Sequence, residues 1–437
     1  MERAIAESLK LLGKIASSQA LDKLGVKGPL ETMLYRGSKA SVSAAAAAMA
    51  RARPIIKLMK PERMREGGGL ERPTLFDLTL TEAQELVHDT MQRFALDRLR
   101  EAGRDADASG EVAAELLDEC HELGLTHLTV PEALGGAGEA RSITTNVIVA
   151  EDLARGDMGL ALAALAPLGV AHALVDFGTA EQQGSYLPAF VGDSFYPAAL
   201  ALLEPRLLSD PHHLVTRASE QGGDYVLSGE KALVPLAASA ELLLVLADLS
   251  GAPQAFLVER GAPGLAIEPE RAMGLNAAGL GRVRLDRVRV AKSARLGGEA
   301  GIDVERLIDL SRIAWAALSV GAASAMVDYV KNYVVERKAF GEPIAQRQSV
   351  AFTVATMATE LEGMRLLVYR AASRAEHGLS FRREAYLARL LCAEKGMQIA
   401  TDGVQMLGGA GFVQDHPVEL WYRHLRAVGV FEGGILV

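Results

Sequence analysis

The chain has little sulfur chemistry to offer: two cysteines, Cys120 and Cys392, in 437 residues. Two thiols cannot make a disulfide framework, nor a zinc site by themselves. A reduced, cytoplasmic setting is the simplest expectation, with no metal centre. Aromatic residues are scarce, at 5%. Alanine, leucine and glycine dominate instead, as in a packed helical protein rather than a β-sandwich. No run reads as long and apolar enough to cross a bilayer; Ala44–Ala50 is short and mostly alanine, with Arg51 and Arg53 behind it. A secretory signal is not expected either, because Glu2 and Glu7 spoil a basic start. Residues beyond 70 show no internal repeat or low-complexity linker, and no nucleic-acid partner is expected.

What is present is length and a lopsided charge. The chain is long enough for two or three domains and a large core. Its 46 Lys/Arg against 55 Asp/Glu give a net charge of −9. Residues 1–70 hold thirteen basic and six acidic residues, so they carry +7 and the rest carries −16. A basic arm ahead of an acidic body suits a membrane surface, an acidic partner or simply a solvated helix face. Residues 1–74 read as an extension. Helix-like stretches at Ile5–Leu24 and Leu30–Met59, the second interrupted by Pro54, are followed by the breaker Gly67-Gly68-Gly69.

Residues 75–194 read as a helical domain. Thr81 and Gln84 form a capping box for a helix through about Ala102, and further helices fit Gly110–Leu123, Ile143–Ala154 and Leu160–Phe177. Residues 195–300 change period. Asp224–Ser228, Leu242–Asp248, Gln254–Glu259, Gly264–Glu268 and the alternating Arg282–Val290 predict an antiparallel β module. Residues 301–437 return to helices: one from about Val304 to Arg337, then Ser349–Gly378, Arg382–Gly408 and Pro417–Arg426. Four in a row predict a bundle. The fold class expected is therefore α+β, helix–sheet–helix.

Three constellations could carry chemistry. Arg337-Lys338-Ala339-Phe340-Gly341 ends a helix, with Gln348 shortly after. A guanidinium there can grip a diphosphate, although an exposed terminal arginine is common. Gln405-Met406-Leu407-Gly408-Gly409-Ala410-Gly411-Phe412 lets a backbone come close to a ligand, although glycine at a helix end is usually just a cap. Glu432 stands in an apolar tail where its pKa could rise toward that of a base, or it is an ordinary solvated glutamate. It is the only acidic residue after Glu419.

In this order and spacing the three motifs, with Pro417-Val418-Glu419 and Tyr422-Arg423 between them, closely resemble the C-terminal domain of acyl-CoA dehydrogenases. Upstream, Ala199–Pro205, Ser209-Asp210, Tyr225–Lys231 and Met273–Val290 resemble that family's middle domain. The resemblance spans roughly residues 75–434. It implies FAD as cofactor and Glu432 as the base that removes the acyl α-proton, while the β-hydrogen leaves as hydride to give a trans-2-enoyl thioester. It implies flavin contacts for Arg337, Phe340, Gln348, Gln405, Gly408 and Gly409, some on the flavin of a neighbouring subunit, hence a homodimer or homotetramer. It places Arg312, Ser209 and Gly433 near the acyl-CoA. Ser311 holds the alternative position for the base and is not acidic. Glu419, on the preceding helix, is expected to matter little.

The implied role is fatty-acid β-oxidation with electron-transfer flavoprotein as partner, and the basic arm offers a peripheral membrane contact through residues 1–70. The sequence also departs from the family. Leu203 stands for a flavin-bonding threonine, and Arg206 and Leu208 for glycines. Leu233-Val234-Pro235 replaces Trp-Ile-Thr, and Gly434 replaces another threonine. Two alternatives therefore stay open: a subunit of a heteromeric acyl-CoA dehydrogenase, and a flavin-free acyl-CoA-binding scaffold.

Overall fold

The computed structural model describes residues 78–138, 141–206 and 208–431. The expectations placed on residues 1–74, on Glu432 and on Gly433 lie outside the described residues.

The helical domain opens with α1, Glu82–Phe94. The Thr81 side chain accepts from Gln84 N–H and the Gln84 side chain from Thr81 N–H, so the capping box is formed. A π-helical turn, Ala95–Leu99, separates α1 from α2, Arg100–Ser109, which stops at Gly110 with φ 80°. Here a later helix of the domain crosses at close range, and only glycine fits at its end: a Cβ on Gly156 would stand 2.3 Å from the Ala95 carbonyl oxygen. The domain continues through α3 (Ala114–Glu122), α4 (Leu125–Thr129), α5 (Ile143–Gly156), α6 (Met158–Phe177) and α7 (Ala180–Tyr186).

The middle domain holds a seven-stranded sheet: β1 Ala198–Ala201, β2 Arg217–Gln221, β3 Asp224–Val234, β4 Leu242–Leu249, β5 Ala252–Glu259, β6 Leu265–Pro269 and β7 Gly281–Val290. The pairings β2–β3, β3–β7, β4–β5 and β6–β7 are antiparallel. The expectation of a purely antiparallel module needs correction, because β1 and β2 both run parallel to β4. These strands reach β4 by crossovers rather than hairpins, which is the connection a parallel pair requires.

The last domain is built on α8, Val304–Glu336, a 33-residue helix with both flanks covered. A hairpin, β8 Lys338–Ala339 with β9 Glu342–Pro343, leads to α9 (Gln348–Glu376), α10 (Arg382–Leu407) and the short α11 (Val418–Arg426). Phe340 and Gly341 form the hairpin turn, with φ of 57° and 88°, the two positive values that a tight two-residue hairpin uses. Contrary to the sequence expectation, α6 and α8 are long and apolar enough to cross a bilayer by length and composition. In each, 83% of the most apolar stretch is buried within the protein, and both serve as its core.

Buried polar contacts tie the three domains together. His424 Nδ1 accepts from Leu275 N–H at 3.0 Å, so its other nitrogen carries the proton and donates to Asp157 Oδ2 at 3.3 Å. Burial alone would raise the Asp157 pKa, but His424 and the α6 N-terminal N–H groups outweigh it and hold the pKa down. Asp107 accepts from Arg423 at 2.6 Å and from Asn276 N–H at 3.0 Å. Glu419 belongs to the same network, accepting from Arg104 and Arg423, each at 2.9 Å. The expectation that Glu419 is a bystander is therefore corrected: it helps join α2 to α11.

Candidate active site

Arg312 lies one-quarter of the way along α8, on a face that the core covers. Its guanidinium is 4% exposed and donates to Asp309 Oδ1 at 3.2 Å, while its Nε is buried without a partner among the described residues. Burial raises the Asp309 pKa even though Arg312 opposes the shift. One turn on, Trp315 stacks against Phe431 with ring centroids 4.4 Å apart. Arg389 of α10, 1% exposed, donates to the Phe431 carbonyl at 2.5 Å. The residue directly before Glu432 is thus held by ring and carbonyl together.

The middle domain reaches the first turn of α8 through the loop after β1. Ser209 is buried, and its hydroxyl accepts from Glu204 N–H at 3.2 Å. His212 from this loop lies 2.6 Å from Glu305 in the first turn of α8, and Arg382 from the start of α10 lies 2.7 Å from the same carboxylate. Behind the loop, Lys231 and Glu204 form a buried pair at 3.2 Å. Glu204 also accepts from the N–H groups of Val215 and Thr216. Burial pushes the Lys231 ammonium down to about 8 despite its partner.

Arg337, Phe340, Gln348, Gln405, Gly408 and Gly409 gather elsewhere. The C-terminal ends of α8 and α10 meet where Tyr329 Oη lies 2.6 Å from His416 Nδ1 and the Tyr333 ring packs on His416. Arg337 caps α8 through its N–H to Tyr333, and among the described residues its guanidinium has no partner. Phe340 is 94% exposed, with Arg347 over its ring. Gln348 is the exposed first residue of α9, and Gln405 is exposed near the end of α10. Gly408 and Gly409 have open space where a Cβ would stand.

Arg312 and Arg337 sit on one continuous helix, about 37 Å apart along it. Arg312 and Phe431 lie in the N-terminal half of α8, whose first turn the loop carrying Ser209 reaches through His212, and the six flavin-contact candidates gather at its other end. Sequence reasoning missed Arg389. The signal was available: at helical spacing it shares a face with Ala385, Cys392 and Gly396, all buried, and a charge on an apolar face needs a partner.

With this geometry in view, the comparisons with known proteins are specific. The family description "Acyl-CoA dehydrogenase, N-terminal domain" matches residues 81–193, "middle domain" 199–288 and "C-terminal domain" 301–435. The chain belongs to the acyl-CoA dehydrogenase family, oxidoreductases that act on a CH–CH bond and bind FAD. It is 30% identical over 366 residues to an acyl-CoA dehydrogenase of Bacillus subtilis (strain 168), covering 81% of this chain and 95% of the relative. It is 31% identical over 364 residues to the caffeyl-CoA reductase-Etf complex subunit CarC of Acetobacterium woodii, with the same coverage. Among solved structures, butyryl-CoA dehydrogenase from Megasphaera elsdenii superposes with a TM-score of 0.76 at 28% identity, over 83% of this chain and 97% of that one. The FAD complex of PigA gives 0.76 at 26% identity, over 82% and 96%.

The residues present fit FAD in two different ways. At the far end of the bundle, an unpartnered guanidinium and open glycine backbone suit a diphosphate. On the middle domain no threonine hydroxyl is offered by Leu203, Leu233 or Pro235. There the fit is apolar packing plus backbone: Leu203 gives its carbonyl to Ala232 N–H, and its own N–H makes no hydrogen bond among the described residues. Leu233 takes a left-handed conformation, φ 52°, with its N–H on Glu270 at 2.9 Å.

Proposed function

We propose that this chain catalyses the FAD-dependent α,β-dehydrogenation of a fatty acyl-CoA to the trans-2-enoyl-CoA, with Glu432 as the base. The observation that carries the reading is the clamp on Phe431: Trp315 and Arg389 fix the backbone from which Glu432 follows. An α-proton is weakly acidic, so the base must be positioned and its carboxylate kept from bulk water. Arg312 offers a buried N–H in the same region, suited to a carbonyl or to the thioester's polar arm. Ser311 is not acidic and leaves the role to Glu432. When bound, the flavin supplies the two-electron acceptor for the β-hydrogen. Arg337, with Gly408 and Gly409, would hold its diphosphate and Phe340 its adenosine side. Their distance from Arg312 supports a homodimer or homotetramer in which one copy completes the site of another. Electron-transfer flavoprotein is the proposed acceptor, and fatty-acid oxidation the proposed setting.

The test is spectroscopic. The purified full-length chain should be yellow, and anaerobic addition of acyl-CoA should bleach the flavin, with a panel of chain lengths locating the preferred acyl group. A colourless chain that gains flavin only when produced with a second homologue would replace this reading with the heteromeric one. A flavin that no acyl-CoA bleaches would sink both.

A further inference from the structure

Helix α6 is a core helix with one irregular face. Leu165, Gly169, His172 and Asp176 share that face by their spacing. Gly169 is exposed, and nothing lies within 4 Å of where its Cβ would be. His172 is 8% exposed. The Asn146 amide nitrogen donates to His172 Nε2 at 3.0 Å, which places the imidazole proton on Nδ1. That Nδ1 is buried and has no partner among the described residues. Arg141 gives one N–H to Asp176, one turn along the same face of α6, and keeps a buried Nε that is also unpartnered among the described residues. Two orphaned buried donors reaching one helix face are rare in a folded interior and call for an acceptor.

Resting on the function proposed above, we infer that His172 and Arg141 form a binding position for an oxygen acceptor of the bound thioester: either an amide carbonyl of the pantetheine arm or an oxygen carried by the acyl group. The place is right for this. The charge of Arg141 is felt by both His172 and Arg306 of α8. Arg306 stands about 9 Å along α8 from Arg312 and about 13 Å from Trp315. An extended acyl-CoA spans that distance. Burial, helped by Arg141, keeps the imidazole neutral well below the usual range. It therefore donates as an uncharged group, while Arg141 adds charge for a carboxylate.

The experiment uses the full-length flavoprotein and three probes: octanoyl-CoA, the octanoyl thioester of N-acetylcysteamine, which lacks most of the pantetheine arm, and the CoA thioester of a dicarboxylic acid. Dissociation constants are measured by calorimetry for the parent protein, His172→Phe and His172→Gln. An acceptor in the arm predicts that His172→Phe binds octanoyl-CoA about tenfold more weakly, with the truncated thioester, which keeps only the inner amide, sharing the loss if that amide is the acceptor and unaffected if the outer one is. An acceptor on the acyl group predicts the same loss for the dicarboxylyl thioester alone. In either case His172→Gln, which keeps an amide donor, should recover part of it. If His172→Phe melts like the parent and binds all three probes unchanged, His172 is a core residue and the inference falls. If His172→Phe does not fold, Arg141→Gln against the same probes decides in the same way. A parent protein that binds none of the three would overturn the proposed function itself.

Discussion

The two ends of α8 are built by opposite rules. Around Arg312 and Trp315 the large groups named above are buried and packed within one chain: Asp309 against Arg312, and Phe431 against both Trp315 and Arg389. Around Arg337 the chain stops short of covering itself. Phe340 is 94% exposed and Phe412 88%, and the Arg337 guanidinium has no partner among the described residues. Large exposed aromatics beside open glycines mark a surface awaiting another molecule. Folding alone prepares the first end; the second leaves room for the cofactor and for the second copy proposed above.

The sharpest break in this comparison is chemical. Glu432→Gln should slow flavin bleaching by about 10²–10⁴-fold while leaving the flavin spectrum in place. The control is Asp415→Asn, on an exposed loop, rather than Glu419, which holds α2 to α11. Loss of flavin together with activity would mean the tail shapes the cofactor site, and would remove the kinetic argument for a base.

Next in size is the lock between domains. Asp157→Ala leaves His424 buried without its acceptor, and should cost about 3–5 kcal/mol by urea denaturation. The oligomeric state should not change if the exposed end alone governs association. A variant that dissociates as it weakens would show that the two ends are not independent.

At the exposed end, Arg337→Ala should weaken FAD binding by about 10- to 100-fold, read by flavin release on dilution. If Arg337 serves a neighbour's flavin, refolding Arg337→Ala together with Glu432→Gln should restore activity. Mixed assemblies then contain sites in which both residues are intact. No recovery from any mixture would place Arg337 and Glu432 on the same site and refute the division of labour.

The smallest effect tests pH. Burial pushes the Asp152 carboxyl up to about 7, although His88, at 2.8 Å, opposes it. The folded pKa lies above the unfolded value, so the native state holds the extra proton. Its stabilising contribution is complete below about pH 4 and is lost as pH rises through 7. Asp152→Asn should therefore raise the melting temperature at pH 8 and change it little at pH 4. Equal shifts at both values would mean that the amide acts through shape instead.

Much of this architecture could be read from residue order. The capping box at Thr81, the alternation in Arg282–Val290 and the span of α10 all followed from local pattern. Ala198–Ala201 was missed because a short, wholly buried strand has no polar alternation to announce it. Arg217–Gln221 was missed because it is polar throughout; its place is set by its neighbours β3 and β4. The site divides in the same way. Motif spacing named Arg337 and Gly408, but not that they stand far from Arg312, since distance along a helix becomes visible only once the helix is known to be continuous. The buried pairs His424–Asp157 and Lys231–Glu204 join residues far apart in sequence, which no local signal links.

The π-helical turn at Ala95–Leu99 has a bearing on how α1 and α2 keep phase. Met91, Ala95, Leu99 and Gly103 are all buried, four residues apart each time. In a plain α-helix four residues advance about 400°, so the buried face would drift by about 40° at each step. The wider turn absorbs that drift and delivers α2 with Asp107 aimed at Arg423 and Asn276. The wide turn holds one residue more than ordinary winding would, so removing Asp97 from it would restore a plain α-helix with Asp107 still facing both partners. Removing a residue just beyond it, Glu101 for example, has no such slack to draw on and would swing Asp107 by about 100°, away from both partners. Of two single-residue deletions four positions apart, only the second would unhook the first domain from the last.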